Sequence, residues 1–600
     1  MKRAWSERGS GAPDGAGHGG RPPEEVREAE LPVRDQRGAP LHRAQLLGGE
    51  PYEVLDVTGG RGGSGEGRDG ALQGRQGARG STGQRRAGGA GHPARGAEED
   101  ELSATVAPSG GPFASSAAQF AKVRGFLAGE GAASLQHFEL EDYIRAEGFE
   151  LLRLLMQDHF DLRAVREVRL EEVAGAGGVA HRAAERDHER PLATIVGTVT
   201  VRRTAYRHRG EPNLCPADAT LNLPEGLHSH GLRQFAAIES SRGSFEEAKE
   251  AVCRATGVVV GHRQVEQLAQ ATAADFEAFY EQAPRPKAGE GDLVVISADG
   301  KGVVMRPVDL RPATAEAARK AQPKLKSRLS KGEKANRKRM AEVAAVYTVE
   351  PVPRSPAEVM ASHEDGPKQA PKAKDKWLTT SVVDDAAEVI AKAFSEAERR
   401  DPSHARPWVA LVDGNNHQID RIKAEAKKRK LDVTIIVDLV HVLSYLWDAA
   451  WCFYAEGDQA AEGWVADKAL AVLDGKAGLV AAAIRRKATN LGLQATKRRN
   501  ADTCANYLKA KARYLDYPKA LAEGWPVATG VIEGACRYLV MDRLEITGAR
   551  WRLKGSEAVL KLRALRKNGD WEQYFSFHLA QERKRVHEPR YLNNVIPLAA

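Results

Sequence analysis

At 600 residues, with 42% hydrophobic side chains, the chain is long enough for several domains and at least one sizeable core. Its 28% charged content, mean hydropathy of -0.47 and lack of any eighteen-residue apolar run exclude a helical membrane protein and predict a soluble one. The formal charge is +8. Residues 316–340 alone hold ten Lys or Arg against two Glu, a surplus equal to that of the whole chain. A partner that is a polyanion fits such a segment.

Five cysteines, Cys215, Cys253, Cys452, Cys504 and Cys536, are far apart with no CxxC pair. That excludes a disulfide framework or zinc knuckle and predicts reduced thiols. The amino terminus MKRAWSERGSGAPDG has basic residues but no apolar stretch, so the expectation is a protein that works inside the cell.

Residues 1–110 are rich in Gly, Arg, Ala and Glu, as in GGRGGSGEGRDG, and read as a disordered tail that cannot bury enough apolar area to fold. Arg and Gly repeats can bind RNA, but an inert tail or a mis-assigned start gives the same composition. From 113 onward helical spacing takes over, with Ile144, Phe149, Leu152, Leu155 and Phe160 marking a packed helix. Residues 192–207, LATIVGTVTVRRTAYR, alternate as strands of a small sheet. Their Arg202, Arg203 and Arg207, with Arg209, face either phosphate or solvent.

SFEEAKEAVCRATG opens with a capping box, Ser244 with Glu247, and stops at Gly257. A second helix over HRQVEQLAQATAADFEAFY follows a short turn. The outline is that of a helix-turn-helix offering His262, Arg263, Gln264 and Gln267 to a major groove, or of an ordinary helical hairpin.

LVVISADGKGVVMRP, 293–307, reads as a hairpin of two apolar strands around Asp-Gly-Lys-Gly, presenting Asp299 at its turn. A third strand is expected over 343–349, a helix over 385–399, a fourth strand in WVALVDG ending at Asp413, a basic helix with Lys427 and Lys428, and a fifth strand in VTIIVD ending at Asp438. The order β-β-β-α-β-α-β-α predicts an α/β class, ribonuclease H-like domain. Residues 442–528 read as helical, with Trp447, Trp451 and Trp464 as core anchors.

Asp299 and Asp413 each end an apolar strand before a glycine, and in that order their strands are neighbours. Two carboxylates are too few for hard divalent cations, so a third acid is sought on the packing helix. Glu533 in ATGVIEGACRYLVMDRLEITGARW fits, beside the apolar stripe Ile532, Cys536 and Leu539; an i,i+4 salt bridge to Arg537 is the alternative. Asp438 is a rival second acid. It stands three residues before His441, either as a helix N-cap or as part of a grip on metal or DNA.

The segments ADGKGVVMRP, ANRKRMAEVAAVYTV, ALVDGNNHQ, IIVDLVHV and GVIEGACRYLVMDRLEITGARW together resemble bacterial insertion-sequence transposases of the DDE type, most closely the Kra-type group (ISKra, fourth family). The resemblance covers residues 113 to 587. It implies a catalytic, metal-holding triad of Asp299, Asp413 and Glu533 with Mg²⁺ or Mn²⁺. Asp438 and His441 match the Asp/Cys-x-x-His signature of related Mutator-like and ISL-type enzymes, in a supporting role.

The implied reaction is DNA strand cleavage at the element's ends and strand transfer into target DNA, by a homo-oligomer in the nucleoid-associated cytoplasm with no membrane partner. Phosphate contacts are expected from Lys324, Lys326, Arg328, Lys331, Arg337, Lys338, Arg339, Lys427, Lys428, Arg543, Arg550 and Arg552. The expected organisation is a tail (1–110), a mainly helical DNA-binding region with a small β element (111–285), the catalytic core (286–441), a long helical insertion (442–528) and the core's carboxyl-terminal helices (529–600). An inactive or domesticated DNA-binding descendant of a transposase is the alternative.

Overall fold

The computed structural model describes residues 111–321, 325, 327–330, 336–361, 370–546 and 548–597. The expected tail at 1–110, and Lys324, Lys326 and Lys331, lie outside the described residues. The chain is mixed α/β. No helix among the described residues is long and apolar enough to cross a membrane.

Helices α1 (Ala114–Leu127) and α2 (His137–Arg166) run antiparallel, tied where the Ser116 amide donates to Asp158 at 2.9 Å and Gln119 to Glu147 at 2.6 Å. Of the spaced apolar residues of α2, Phe160 is buried but Ile144, Leu152 and Leu155 are exposed, which corrects the expectation of a fully packed stripe. α2 lies on a two-stranded ribbon, β1 (Ala183–Thr194) and β2 (Gly197–Arg207), and covers one side of it only. The ribbon's arginines are mostly neutralised. Arg203 is buried against Asp218 at 2.8 Å, Arg202 meets Asp161 and Glu189, and Arg207 pairs with Glu185.

α3 (His230–Arg242), α4 (Phe245–Thr256) and α5 (His262–Thr272) enclose a small core of Leu232, Ala236, Val252, Val265 and Leu268. The capping box forms as the residues demand: the Glu247 amide donates to Ser244 Oγ at 3.1 Å, and Glu247 accepts from the Ser244 amide at 2.6 Å. Gly257 ends α4 with φ +67°, a conformation open to glycine. The second helix is shorter than expected. It stops at Thr272 and resumes as α6 (Phe276–Gln282), because Asp275 between them turns inward to a buried ion pair.

The central sheet has five strands: β3 (Leu293–Val304), β4 (Lys338–Val349), β5 (Ala373–Ser381), β6 (Trp408–Val412) and β7 (Val433–Val437). Their order is β5-β4-β3-β6-β7, with β4 antiparallel to both neighbours and β3, β6 and β7 parallel. Residues Leu293 to Ala298 are buried without a break, as expected for a central strand covered on both faces.

The expected hairpin at Asp299 does not occur. β3 runs straight through Asp-Gly-Lys-Gly, pairing Asp299 with Val343 and Gly302 with Met340. Gly300 and Gly302 are absent from the glycines with positive φ, so neither makes a tight turn. They instead make room for the partner strand. A Cβ on Gly300 would come within 2.9 Å of Met340, and one on Gly302 within 2.7 Å of Lys338. The sequence reading counted β3 twice and missed β5, whose first residues, AKDK, carry the charges of an exposed sheet edge.

α8 (Ala386–Arg400), capped by Asp385, and α9 (Asn416–Arg429) follow, after the short α7 (Pro312–Lys320) beyond β3. After β7 the chain is helical: α10 (Leu439–Ala450), α11 (Gln459–Leu473), α12 (Ala477–Asn490) and α13 (Ala495–Lys511). Small aliphatic residues such as Ala461, Ala469, Ala501 and Leu508 fill that bundle. Of the expected tryptophan anchors, two pack against that core from its margin and one does not. Trp447 and Trp464 are half-buried, and Trp451 is exposed and stacked on Trp447 at 5.3 Å. The chain returns to the sheet with α14 (Gly530–Ala535), which packs on β3 and β4 and runs on through a π-helical turn, Cys536–Met541. α15 (Leu553–Asn568) and α16 (Trp571–Val586) close the fold.

Candidate functional site

The three parallel strands bring their acids to one level. Ser297 pairs with Leu411, an offset of 114 residues, and Val412 pairs with Val437, an offset of 25. The same offsets carried past the strand ends place Asp299 beside Asp413, and Asp413 beside Asp438. Neighbouring positions on adjacent strands stand about 5 Å apart. The backbone positions of the three acids thus stand level across the sheet, Asp299 within β3 and Asp413 and Asp438 just past the ends of β6 and β7.

Asp299 is half-buried. Its Oδ1 accepts from the Gly300 amide at 2.7 Å, and its Oδ2 accepts from the Cys536 thiol at 3.4 Å. Burial, and then the Asp299 carboxylate, push the Cys536 thiol well above its ordinary range. Glu342, opposite Gly300 on β4, is a half-buried acid that sequence reasoning missed. Burial, and then Asp299, push its carboxyl up to about 7. Its signal was a lone acid in the apolar run AEVAAVYTV.

Asp413 is also half-buried, with Oδ1 accepting from the Asn415 amide at 2.7 Å and its carbonyl accepting from Tyr507 at 3.0 Å. Gly414 adopts φ +91°, and a Cβ there would meet the Tyr507 hydroxyl at 2.7 Å, so only glycine lets the chain leave β6 at this angle. Lys511 on α13 lies near the Asp413 charge.

Asp438 has no exposed surface. It is the N-cap of α10, with Oδ1 accepting from the Val440 amide at 2.9 Å and from the Thr529 amide at 3.2 Å. Its Oδ2 accepts from the Thr529 hydroxyl and from His441 Nδ1 at 2.9 Å. Of the two sequence readings of Asp438, the helix cap is observed, and the same carboxylate also holds the ring of His441. Thr529 escaped the sequence reading; it stands just before the Gly530 that opens α14.

Glu533 on α14 faces this pair. One ligand atom each from Asp438, His441 and Glu533 lie within 4.8 Å of one another, the one such His/Cys/Asp/Glu group among the described residues. Asp299 and Asp413 are not members of that close group. Cys536, three residues after Glu533, reaches Asp299, so α14 and the turn after it span the acids from β3 to β7. Arg537 turns to Asp542 at 3.8 Å.

The residues expected to contact DNA divide into two kinds, and Lys427 and Lys428, in the last turn of α9, lie at the far end of that helix from Asp413. His262, Arg263, Gln264 and Gln267 are all exposed on α5, as are Arg328, Lys427, Lys428, Arg550 and Arg552; Lys428 also pairs with Glu425 and Lys338 with Glu545. Two expected phosphate contacts are instead structural. Arg543 is buried between the rings of Phe245 and Trp551, its Nε donating to the Ser240 carbonyl at 3.0 Å, and burial lowers its pKa to about 10. Arg339 donates to the carbonyls of Val382, Val383 and Asp309 at the edge of the sheet. Arg337 is half-buried.

No protein-family model matches the sequence, and no curated protein is significantly similar to it.

Proposed function

We propose that the chain is a metal-dependent DNA strand-transfer enzyme, a transposase of the DDE type built on a ribonuclease H-like core. The observation that carries this reading is the close group of Asp438, His441 and Glu533, the last on a helix whose following turn brings Cys536 to Asp299, together with a strand register that sets Asp299, Asp413 and Asp438 level across three adjacent parallel strands. The strand order β5-β4-β3-β6-β7, with β4 reversed, is the arrangement expected of such a core and supports it. So do the exposed basic and amide side chains at the start of α5.

The donors are carboxylate oxygens and one imidazole, a set suited to Mg²⁺ or Mn²⁺. Asp299, Asp413 and Glu533 would hold the cation, with Asp438 and His441 beside them. When bound, it supplies Lewis-acid stabilisation of the charge that develops on the phosphoryl oxygens. The chain's own groups do the rest. Asp438 accepts from Nδ1 of His441 and so fixes the orientation of its ring. Glu533 is carried on a helix whose packing against β3 and β4 sets its distance from both acids. The one thiol in the site, on Cys536, is buried and held protonated, so the nucleophile is a water or a DNA 3′-hydroxyl and not the protein.

The test uses Asp299→Ala, Asp413→Ala and Glu533→Ala separately, assaying cleavage of duplexes that carry the DNA flanking the gene, with Mg²⁺ or Mn²⁺. Full activity in any variant removes that residue from the site. Asp438→Ala in the same series decides which strand-end acid is the second ligand. One observation favours a second reading, DNA binding without turnover: the closest acidic group contains Asp438 and not Asp413. Duplex binding with no cleavage in either cation would establish it.

A further inference from the structure

Helix α3 leads into α4 with only Gly243 and Ser244 between them, so the last carbonyls of α3 have no partner within the helix. Arginines from the carboxyl-terminal part of the chain fill the vacancy. Arg543 donates to the Ser240 carbonyl, Arg563 Nη1 to the Ser241 carbonyl, and Arg566 Nη1 to the Ser241 hydroxyl at 2.7 Å. The other edge of the Arg563 guanidinium points to the helix of Glu533. There the chain is wound as a π-helix over Cys536–Met541, which leaves carbonyls without their usual amide four residues on. Arg563 Nε donates to the Leu539 carbonyl at 2.9 Å and Nη2 to the Tyr538 carbonyl. A single planar group thus holds the end of α3 and the turn after Glu533. α15, which carries it, also packs along α5 and against α3.

We propose that Arg563 is a positioning residue that ties the α3–α5 unit to the Glu533 helix, so that seating α5 on DNA sets the placement of Glu533. This rests on the reading of the chain as a DNA-processing enzyme. The geometry needs a guanidinium: its five donors lie in one plane and reach three carbonyls at once, whereas a lysine ammonium is a point charge on a flexible stem. The π-helical turn is the compliant element, since its backbone is held from outside by Arg563 and not wholly by its own winding.

Amide hydrogen exchange of the full chain, without and with a duplex carrying the DNA that flanks the gene, tests this. Without DNA, Arg563→Met should speed exchange in 238–243 and in 536–545 together, by about tenfold, with Arg563→Lys intermediate. Arg566→Met, which removes only the contact to Ser241, should affect 238–243 alone. With DNA, the Met variant should bind within about threefold of wild type yet cleave at least about tenfold more slowly, having lost the protection that DNA confers on 536–545.

Equal DNA-induced protection of 536–545 in wild type and Arg563→Met, or opening of one segment without the other, would overturn the tie. A wild-type chain that bound no duplex would instead remove the DNA-processing reading, and the DNA-free exchange would still decide whether the two segments move as one.

Discussion

Two clusters of acids in this molecule are neutralised in opposite ways. Between α6 and α16, Asp275 accepts both Nη groups of Arg585, at 3.0 and 2.9 Å, and His578 at 2.7 Å. Glu582 beside it accepts from Arg585 and from Arg233. Each charge there meets a fixed opposite charge on a packed helix. Within β3 and just past β7, Asp299 and Asp438 take their hydrogen bonds from amides, a thiol, a hydroxyl and an imidazole, and among the described residues no lysine or arginine forms a salt bridge with either. The first cluster is built to stand without a ligand. The second lacks such a counter-charge among the described residues, as the proposed cation site requires.

That contrast predicts opposite responses to removing an acid. Asp299→Ala, Asp413→Ala and Glu533→Ala should each lower the rate of DNA cleavage by about 10³-fold or more, some 4 kcal/mol of barrier, while thermal unfolding moves little. Parallel rate and melting measurements check this; a variant that melts far below wild type would make that acid structural. Asp275→Ala should do the reverse and cost about 3 kcal/mol of stability, because it leaves the buried His578 ring without its partner, while the half-exposed Arg585 keeps Glu582. Denaturant titration reads it. A loss under 1 kcal/mol would mean that water already serves these cations.

Much of this arrangement is legible in the chain, and what is not has a common cause. LVVISA, WVALV and VTIIV announce buried strands through unbroken apolar runs, and Ser244 and Asp385 announce helix starts through their capping partners three residues on. These signals are local. The pairing of β3 with β4 is set by side chains across the sheet, so a glycine that makes room for Met340 looks, in sequence, like a glycine in a turn. Arg543 reads as one more surface cation because its stacking partner Phe245 is nearly 300 residues away. The level shared by Asp299, Asp413 and Asp438 follows from the register of the parallel strands, although the strand end expected at Asp299 does not occur, and the reach of Glu533 toward His441 depends on the whole helical bundle between them.

The fixed cluster should also respond to acid. His230 Nε2 donates to the Asn222 carbonyl at 2.9 Å, and burial followed by the Arg233 charge pushes its pKa from 6.5 down to about 4. With the folded value below the unfolded one, the unfolded chain binds the extra proton first as pH falls. The stabilisation is complete above about 6.5 and is lost as pH drops toward 4. About 3 kcal/mol is at stake over that window, and His230→Gln should flatten the part of the pH–stability curve that it governs. An unchanged slope in that variant would assign the acid sensitivity to other groups.

The smallest effect separates burial from mere pairing on neighbouring residues of β2. Arg203 and Arg202 both contact carboxylates near 3 Å, yet Arg203 keeps 8% of its side chain exposed and Arg202 keeps 39%. Arg203→Met should leave Asp218 poorly compensated and cost about 3 kcal/mol. Arg202→Met should cost under about 1 kcal/mol, and less again in high salt, because water replaces its partners and screens what remains. Equal losses for the two variants would show that a solvent-facing ion pair can matter as much here as a buried one, and the distinction drawn between fixed and ligand-seeking acids would then have to rest on the site's chemistry and not on burial.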